Sequence, residues 1–213
     1  GVSLPWDSDE IPPEISELLP TNLRNNRRPD RPVRPGNAFT IEISAPVDVT
    51  GFTQGYGGPH SGGHIGQYWY NRFGMDLGGT PGTPVYAAFD GHITKYQAHE
   101  PTGDNGRVYG AQIFMRAPND LMGAFYTHLT NVPPGLGQGS TVSRGDFLGT
   151  VYQFPGVPPH LHLALVEIIG GAPSGDYLGV DLYQLFLQLE TGTAGPVVTV
   201  QFQQNCQPPV VVP

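Results

Sequence analysis

The sequence predicts an all-β body with one short helix near its C-terminal end and an extended arm at each terminus. Three observations carry this. Thirty glycines and 23 prolines among 213 residues leave no room for helical bundles or coiled coils. Short runs alternating apolar and polar residues recur along the middle of the chain, separated by turns rich in Gly, Pro, Asn and Asp, as in a sandwich or barrel. Hydrophobic residues at 38% and aromatic residues at 10% supply enough material for a core.

Residues 1–38 read as a Pro-rich, charged N-terminal arm. Pro12, Pro13, Pro20, Pro29, Pro32 and Pro35 break any helix except a short one around Glu14–Leu19. Asp7, Asp9, Glu10, Glu14 and Glu17 come first; Arg24, Arg27, Arg28, Arg31 and Arg34 follow and make half of the ten basic residues. A basic stretch beside an acidic body predicts either a solvated tail or docking of those arginines onto the same or a neighbouring molecule. From Phe39 the strands begin, at Phe39–Ser44, Val85–Phe89, His92–Tyr96, Ala111–Arg116, Ala124–Leu129, Phe147–Val151 and Leu161–Val166, and the body is placed at residues 39–172. Its glycines read mostly as turn punctuation. In the C-terminal segment, 173–213, Leu182, Leu185, Phe186 and Leu189 recur at helical spacing within Asp181–Glu190. Val198–Phe202 alternates again as a candidate edge strand, and a Pro-rich tail closes the sequence.

A net charge of −8 excludes a general nucleic-acid binder. No apolar run is long enough for a membrane span. The sequence opens at Gly1 rather than Met, which leads to the expectation of a mature secreted or cell-surface chain whose leader has been removed. Cys206 is the sole cysteine, so it forms no internal disulfide and is either a thiol without a role or an intermolecular bridge.

Three clusters carry candidate chemistry. In His160-Leu161-His162, strand positions i and i+2 share a face, so the two imidazoles point together. That suits one metal ligand beside one acid–base group. His128 ends Tyr126-Thr127-His128-Leu129, a second strand. Asp76 lies in Arg72-Phe73-Gly74-Met75-Asp76-Leu77, ahead of Gly82-Thr83-Pro84-Val85.

The order of Phe-Gly-Met-Asp, the string Gly82–Gly91, Ser143-Arg-Gly-Asp-Phe-Leu-Gly-Thr-Val, Tyr-Thr-His-Leu and His-Leu-His resembles the lysostaphin-type, or LytM-like, zinc endopeptidases over residues 39–172. The resemblance implies a compact, twisted antiparallel β fold with a groove that acts on peptide cross-bridges of bacterial cell wall. It implies zinc ligands in a His-x-Gly-x-Asp pattern and at the second His of His-x-His, here Asp76 and His162. It also implies that His128 and His160 assist water activation and stabilise the tetrahedral intermediate.

Arg72 departs from that pattern. It stands where the first ligand His belongs, cannot coordinate a cation, and is instead a candidate partner for Asp76. Asp76 and His162 alone make an incomplete site. His60 and His64, in Gly57-Gly-Pro-His-Ser-Gly-Gly-His, either form a surface Gly-rich loop or supply a replacement ligand. Two functions follow. Arg72 leads to a non-catalytic relative without zinc that binds peptidoglycan or another glycan, with Tyr56, Tyr68, Trp69 and Tyr70 as stacking candidates, or self-assembles as an oligomer or filament through its arm and C-terminal edge strand. Retention of Asp76, His128, His160 and His162 leads to the alternative, an active zinc endopeptidase with a rearranged ligand set.

Overall fold

The computed structural model describes residues 36–99, 109–153, 155–171, 176–204 and 208–213. The strands are β1 (Phe39–Ile43), β2 (Phe52–Gly57), β3 (Gly74–Gly79), β4 (Pro84–Tyr86), β5 (Gly91–Gln97), β6 (Ala111–Arg116) and β7 (Met122–Thr130). They continue with β8 (Thr141–Val142), β9 (Phe147–Val151), β10 (His160–Ile169), β11 (Asp176–Val180), β12 (Val198–Phe202) and β13 (Val210–Val212). A one-turn helix α1 (Trp69–Arg72) precedes β3, and α2 (Tyr183–Glu190) precedes β12. No helix among the described residues is long and apolar enough to cross a membrane.

The site is placed by β10, whose run His-Leu-His-Leu-Ala-Leu-Val-Glu-Ile-Ile is buried throughout. The large sheet runs in the order β2-β3-β10-β7-β6-β5-β8. On one side, the first half of β10 pairs with β3 and the second half with β11; β7 lies along the other side, all antiparallel. Its side chains alternate between two apolar layers. Leu161, Leu163 and Leu165 enter the main core with Met75, Leu77, Phe89, Tyr126 and Phe186. Ala164, Val166 and Ile168 face the other way, against Trp69, Phe73, Phe125 and Tyr177.

The strands expected around Phe39, His92, Ala111, Ala124, Phe147 and Leu161 are present, as is the C-terminal helix. Sequence reading missed β2 and β3 because Phe-Thr-Gln-Gly-Tyr-Gly and Gly-Met-Asp-Leu-Gly-Gly carry the glycines of turns. The expected edge position of Val198–Phe202 is corrected. This strand, β12, lies between β1 and β13 because the tail returns to pair with it, so β1 and β13 are the outer strands of the small sheet. Phe39 and Phe202 stack across the β1–β12 pair with ring centres 4.4 Å apart. Val198, Val200 and Phe202 enter the same core as β10, so the C-terminal segment packs into the body. The arm arginines Arg24, Arg27, Arg28, Arg31 and Arg34, the short helix expected at Glu14–Leu19, and Cys206 lie outside the described residues.

One buried acid ties α2 to the body. Glu190 is 3% exposed; its Oε1 accepts the Val47 N–H at 2.9 Å, while Oε2 is buried with no hydrogen-bond partner among the described residues. Burial, relieved in part by that hydrogen bond and reinforced by the charge of Asp48, raises its pKa to about 8. The folded state thus retains a proton that the unfolded chain gives up near pH 4.3, roughly the free glutamate value. Stability from this group is highest below that pH and falls as pH rises towards about 8. Glu190→Gln keeps the acceptor for Val47 and removes the charge. Urea unfolding should show the variant gaining on the wild type by more than about 1 kcal/mol between pH 5 and 8; a gap independent of pH would contradict this account.

Candidate metal centre

Register brings the first two candidate ligands together. Asp76 on β3 is the cross-strand partner of His162 on β10, which is opposite Thr127 on β7, itself opposite Gln112 on β6. These four positions form one row across four strands on the same sheet face. His160, two residues before His162, adds its ring to that face. Strict alternation would send His128 into the core beside Tyr126. Instead His128 adopts a left-handed backbone, φ 69°, so that Thr127 and His128 both line the cleft and Leu129 takes the core position. For a non-glycine residue this conformation costs on the order of 1–3 kcal/mol. The rings of His128 and His160 then meet edge to face, 4.8 Å apart.

The third member comes from the Gly-rich loop. His64 is buried, and its Nε2 lies 3.1 Å from Asp76 Oδ1. Its backbone N–H closes a turn onto Ser61 O at 2.8 Å. The ring lies over Gly74, where a Cβ would fall 2.6 Å from His64 Cδ2 and would overlap His162 as well. Glycine at 74 is therefore what lets the two imidazoles approach Asp76. Gly62 and Gly63 are exposed as a surface loop would be, but the loop delivers His64 inward. His60 stays outside, exposed and edge-on to Phe73 at 4.8 Å.

Arg72 is the last residue of α1, where its carbonyl accepts the His60 N–H at 3.0 Å. The expected pairing of Arg72 with Asp76 is corrected: the side chains facing this carboxylate among the described residues are His64, His160 and His162. Their nitrogens lie 3.1, 3.5 and 3.3 Å from Oδ1 respectively.

Hydrogen bonds fix which imidazole nitrogens face inward. His64 Nδ1 donates to Gly58 O at 2.9 Å, and His128 Nδ1 to Tyr109 O at 2.7 Å. His160 Nδ1 donates to Pro158 O at 2.6 Å, and His162 Nε2 to Tyr70 O at 2.8 Å. A carbonyl only accepts, so each of these nitrogens carries the proton and the neutral ring presents a lone pair on its other nitrogen. Lone pairs of His64, His160 and His162 thus converge on a carboxylate oxygen, an arrangement that needs an added proton or a cation. Burial opposes ionisation of Asp76, but once those rings take up an added proton, hydrogen bonds from His162 and His64 and the charges of His162 and His160 outweigh it and hold its pKa well below the usual range. Burial likewise opposes a charged His64, but the hydrogen bond and charge of Asp76 and the Gly58 carbonyl raise its pKa. His128 is different: burial, together with the charges of His160 and His162, lowers its pKa to about 3, so this ring is neutral.

The donor set fits zinc. His64, Asp76 and His162 each offer one ligand atom, all within 4.8 Å of one another. Tetrahedral bonds of about 2.0–2.1 Å set neighbouring ligand atoms about 3.3 Å apart, close to the 3.1 and 3.3 Å separating Asp76 Oδ1 from the two imidazoles. The centre opens into a cleft of about 440 Å³ bordered by Tyr70, Asn71, Phe125, Thr127 and Val157.

Of the aromatic candidates, Tyr70 borders the cleft and Tyr56 is exposed beside His160, ring centres 6.4 Å apart. Tyr68 and Trp69 are buried; Trp69 belongs to the second apolar layer. Gln112, not singled out from the sequence, lies at the cleft with a buried Oε1 that has no hydrogen-bond partner among the described residues. No pattern in the sequence marks it; the β6–β7 register sets it opposite Thr127.

Residues 70–173 match the sequence model of Peptidase family M23. No curated protein matches the chain. Among solved structures, lysostaphin from Staphylococcus simulans is 24% identical over 72% of this chain and 57% of its own, with a TM-score of 0.49. The catalytic domain of a variant of the prophage-encoded M23 protein EnpA from Enterococcus faecalis is 22% identical over 63% of this chain and 92% of its own, TM-score 0.44. A zinc-containing peptidase from Vibrio cholerae is 22% identical over 70% of this chain, TM-score 0.44, and the match spans only 40% of that protein. The family match takes in Asp76, His128, His160 and His162 and leaves His64 just before its start. Residues 70–173, a little under half of the chain, are thus similar to the LytM-like domains of Peptidase family M23.

Proposed function

We propose that the chain is a zinc-dependent endopeptidase acting on peptide cross-bridges of bacterial cell wall, outside the cell, with His64 in place of the family's first histidine ligand. The observation that carries this is the placement of His64 Nε2 beside Asp76 Oδ1 and His162 Nδ1. It makes good the ligand lost to Arg72, which was the ground for a non-catalytic reading.

Zinc held by His64, Asp76 and His162 would supply Lewis acidity towards water and a peptide carbonyl. The remaining work falls to the chain. His128, anchored through Nδ1 on Tyr109 O, turns Nε2 towards the cleft, where it would take a proton from the attacking water and return it to the leaving amine. His160, held on Pro158 O, keeps a second imidazole on the same wall, placed to donate to the developing oxyanion once protonated. Tyr70 and Phe125 give the cleft apolar walls that exclude water from an extended peptide.

Metal content tests the ligand set. Wild-type protein purified with zinc should hold one equivalent after desalting. His64→Ala and His162→Ala should lose it, whereas Arg72→Ala should keep it. Zinc retained in full by His64→Ala would remove His64 from the centre. Activity tests the reaction: zinc-loaded protein should clear a suspension of peptidoglycan sacculi and release new amino groups. His128→Ala should slow this by about 10²- to 10⁴-fold, the usual worth of a general base. Sacculi left intact by zinc-loaded wild type would return the domain to a binding role.

A further inference from the structure

Tyr183 lies beyond the matched span, on the first turn of α2, yet its hydroxyl reaches the centre. Gly57 on β2 and Asp76 on β3 are cross-strand partners at a point where the ladder is irregular. The Tyr183 hydroxyl stands between them: the Gly57 N–H donates to it at 3.0 Å, and it donates to the Asp76 carbonyl at 3.3 Å. A side-chain hydroxyl thus completes a rung of the sheet at the residue that supplies the carboxylate. The next residue, Gly58, carries the carbonyl that takes the His64 Nδ1 proton. One phenol therefore fixes the backbone of Asp76 and, through Gly57 and Gly58, the acceptor that orients His64.

The seat for this ring is built by glycines. A Cβ at Gly58 would lie 2.6 Å from Tyr183 Cδ1, and a side chain at Gly55 would overlap the Tyr183 hydroxyl. β2 can approach α2 closely enough for the bridge only because these residues have no side chain.

We infer that Tyr183 is a positioning residue for the metal centre, coupling helix α2 to the ligands Asp76 and His64. The inference rests on the ligand set proposed above. It assigns the replacement ligand a support from outside the matched span: a histidine delivered by a glycine loop needs an external brace, and the Tyr183 hydroxyl supplies one. Partners that orient metal ligands typically change metal affinity by about 10- to 100-fold when removed.

The test is zinc affinity of the full chain, measured by competition with a chromophoric chelator, for wild type, Tyr183→Phe and Leu187→Ala. Tyr183→Phe keeps the ring and deletes only the hydroxyl. It should bind zinc about tenfold or more weakly while the melting temperature of the zinc-free protein stays near the wild-type value, and its cobalt(II) absorption bands should shift. Leu187→Ala trims the packing beside Gly55 but keeps the Tyr183 hydroxyl, so it should lower the melting temperature and weaken zinc binding far less than Tyr183→Phe does. Equal zinc affinity in Tyr183→Phe and wild type overturns the inference alone. So does an equal loss of affinity in Leu187→Ala, which would make the effect one of general stability. A wild type that binds no zinc overturns the inference together with the ligand set.

Discussion

Asp76 Oδ1 is a negative charge drawn out of most of its water and faced by three imidazole nitrogens 3.1–3.5 Å away. Removing a carboxylate from water costs several kcal/mol unless its charge is met by well-placed partners. Those partners come from a loop and from two positions of one strand, so each must be delivered by a different device. Strand register delivers His162, alternation delivers His160, and a turn closed on Ser61 delivers His64. Every imidazole is then locked by a proton spent on a backbone carbonyl, which leaves its other nitrogen directed by geometry. The same convergence that is costly for three neutral imidazoles and a carboxylate is the arrangement a divalent cation requires.

The fold and the site share a single strand. β10 fills the main core with Leu161, Leu163 and Leu165 and turns Ala164, Val166 and Ile168 to a second apolar layer. His160 and His162 continue that second face past the point where apolar cover ends. A core anchored on both faces holds these imidazoles more rigidly than a surface loop would. The left-handed backbone at His128 is local strain set against this rigid frame, and it turns a residue due for the core into one that borders the cleft.

Most strands were legible because their alternating apolar pattern meets a core on one face. The His160–His162 pair was legible for the same reason, since strand period alone places both imidazoles together. β2 and β3 were not, because their glycines serve close approach at Gly55 and Gly74 rather than turns. His64 was open to two readings, for a loop of Gly58, Gly62 and Gly63 looks alike whether it points outward or folds a histidine inward. Arg72 drew attention to the lost ligand, but the distance in sequence from His64 to Asp76 matches no familiar ligand spacing. Tyr183 left no signal, being 107 residues from the carbonyl it holds. Local chemistry can be read along a chain; contacts that depend on how a helix seats against a distant strand cannot.

Replacement by His64 of the ligand lost to Arg72, as proposed, has a direct physical signature. Diffraction data collected on either side of the zinc absorption edge, from crystals grown with zinc, test it most directly. One anomalous peak is expected about 2.0–2.1 Å from His64 Nε2, Asp76 Oδ1 and His162 Nδ1. A peak coordinated without His64, or no peak among these residues, would contradict the replacement.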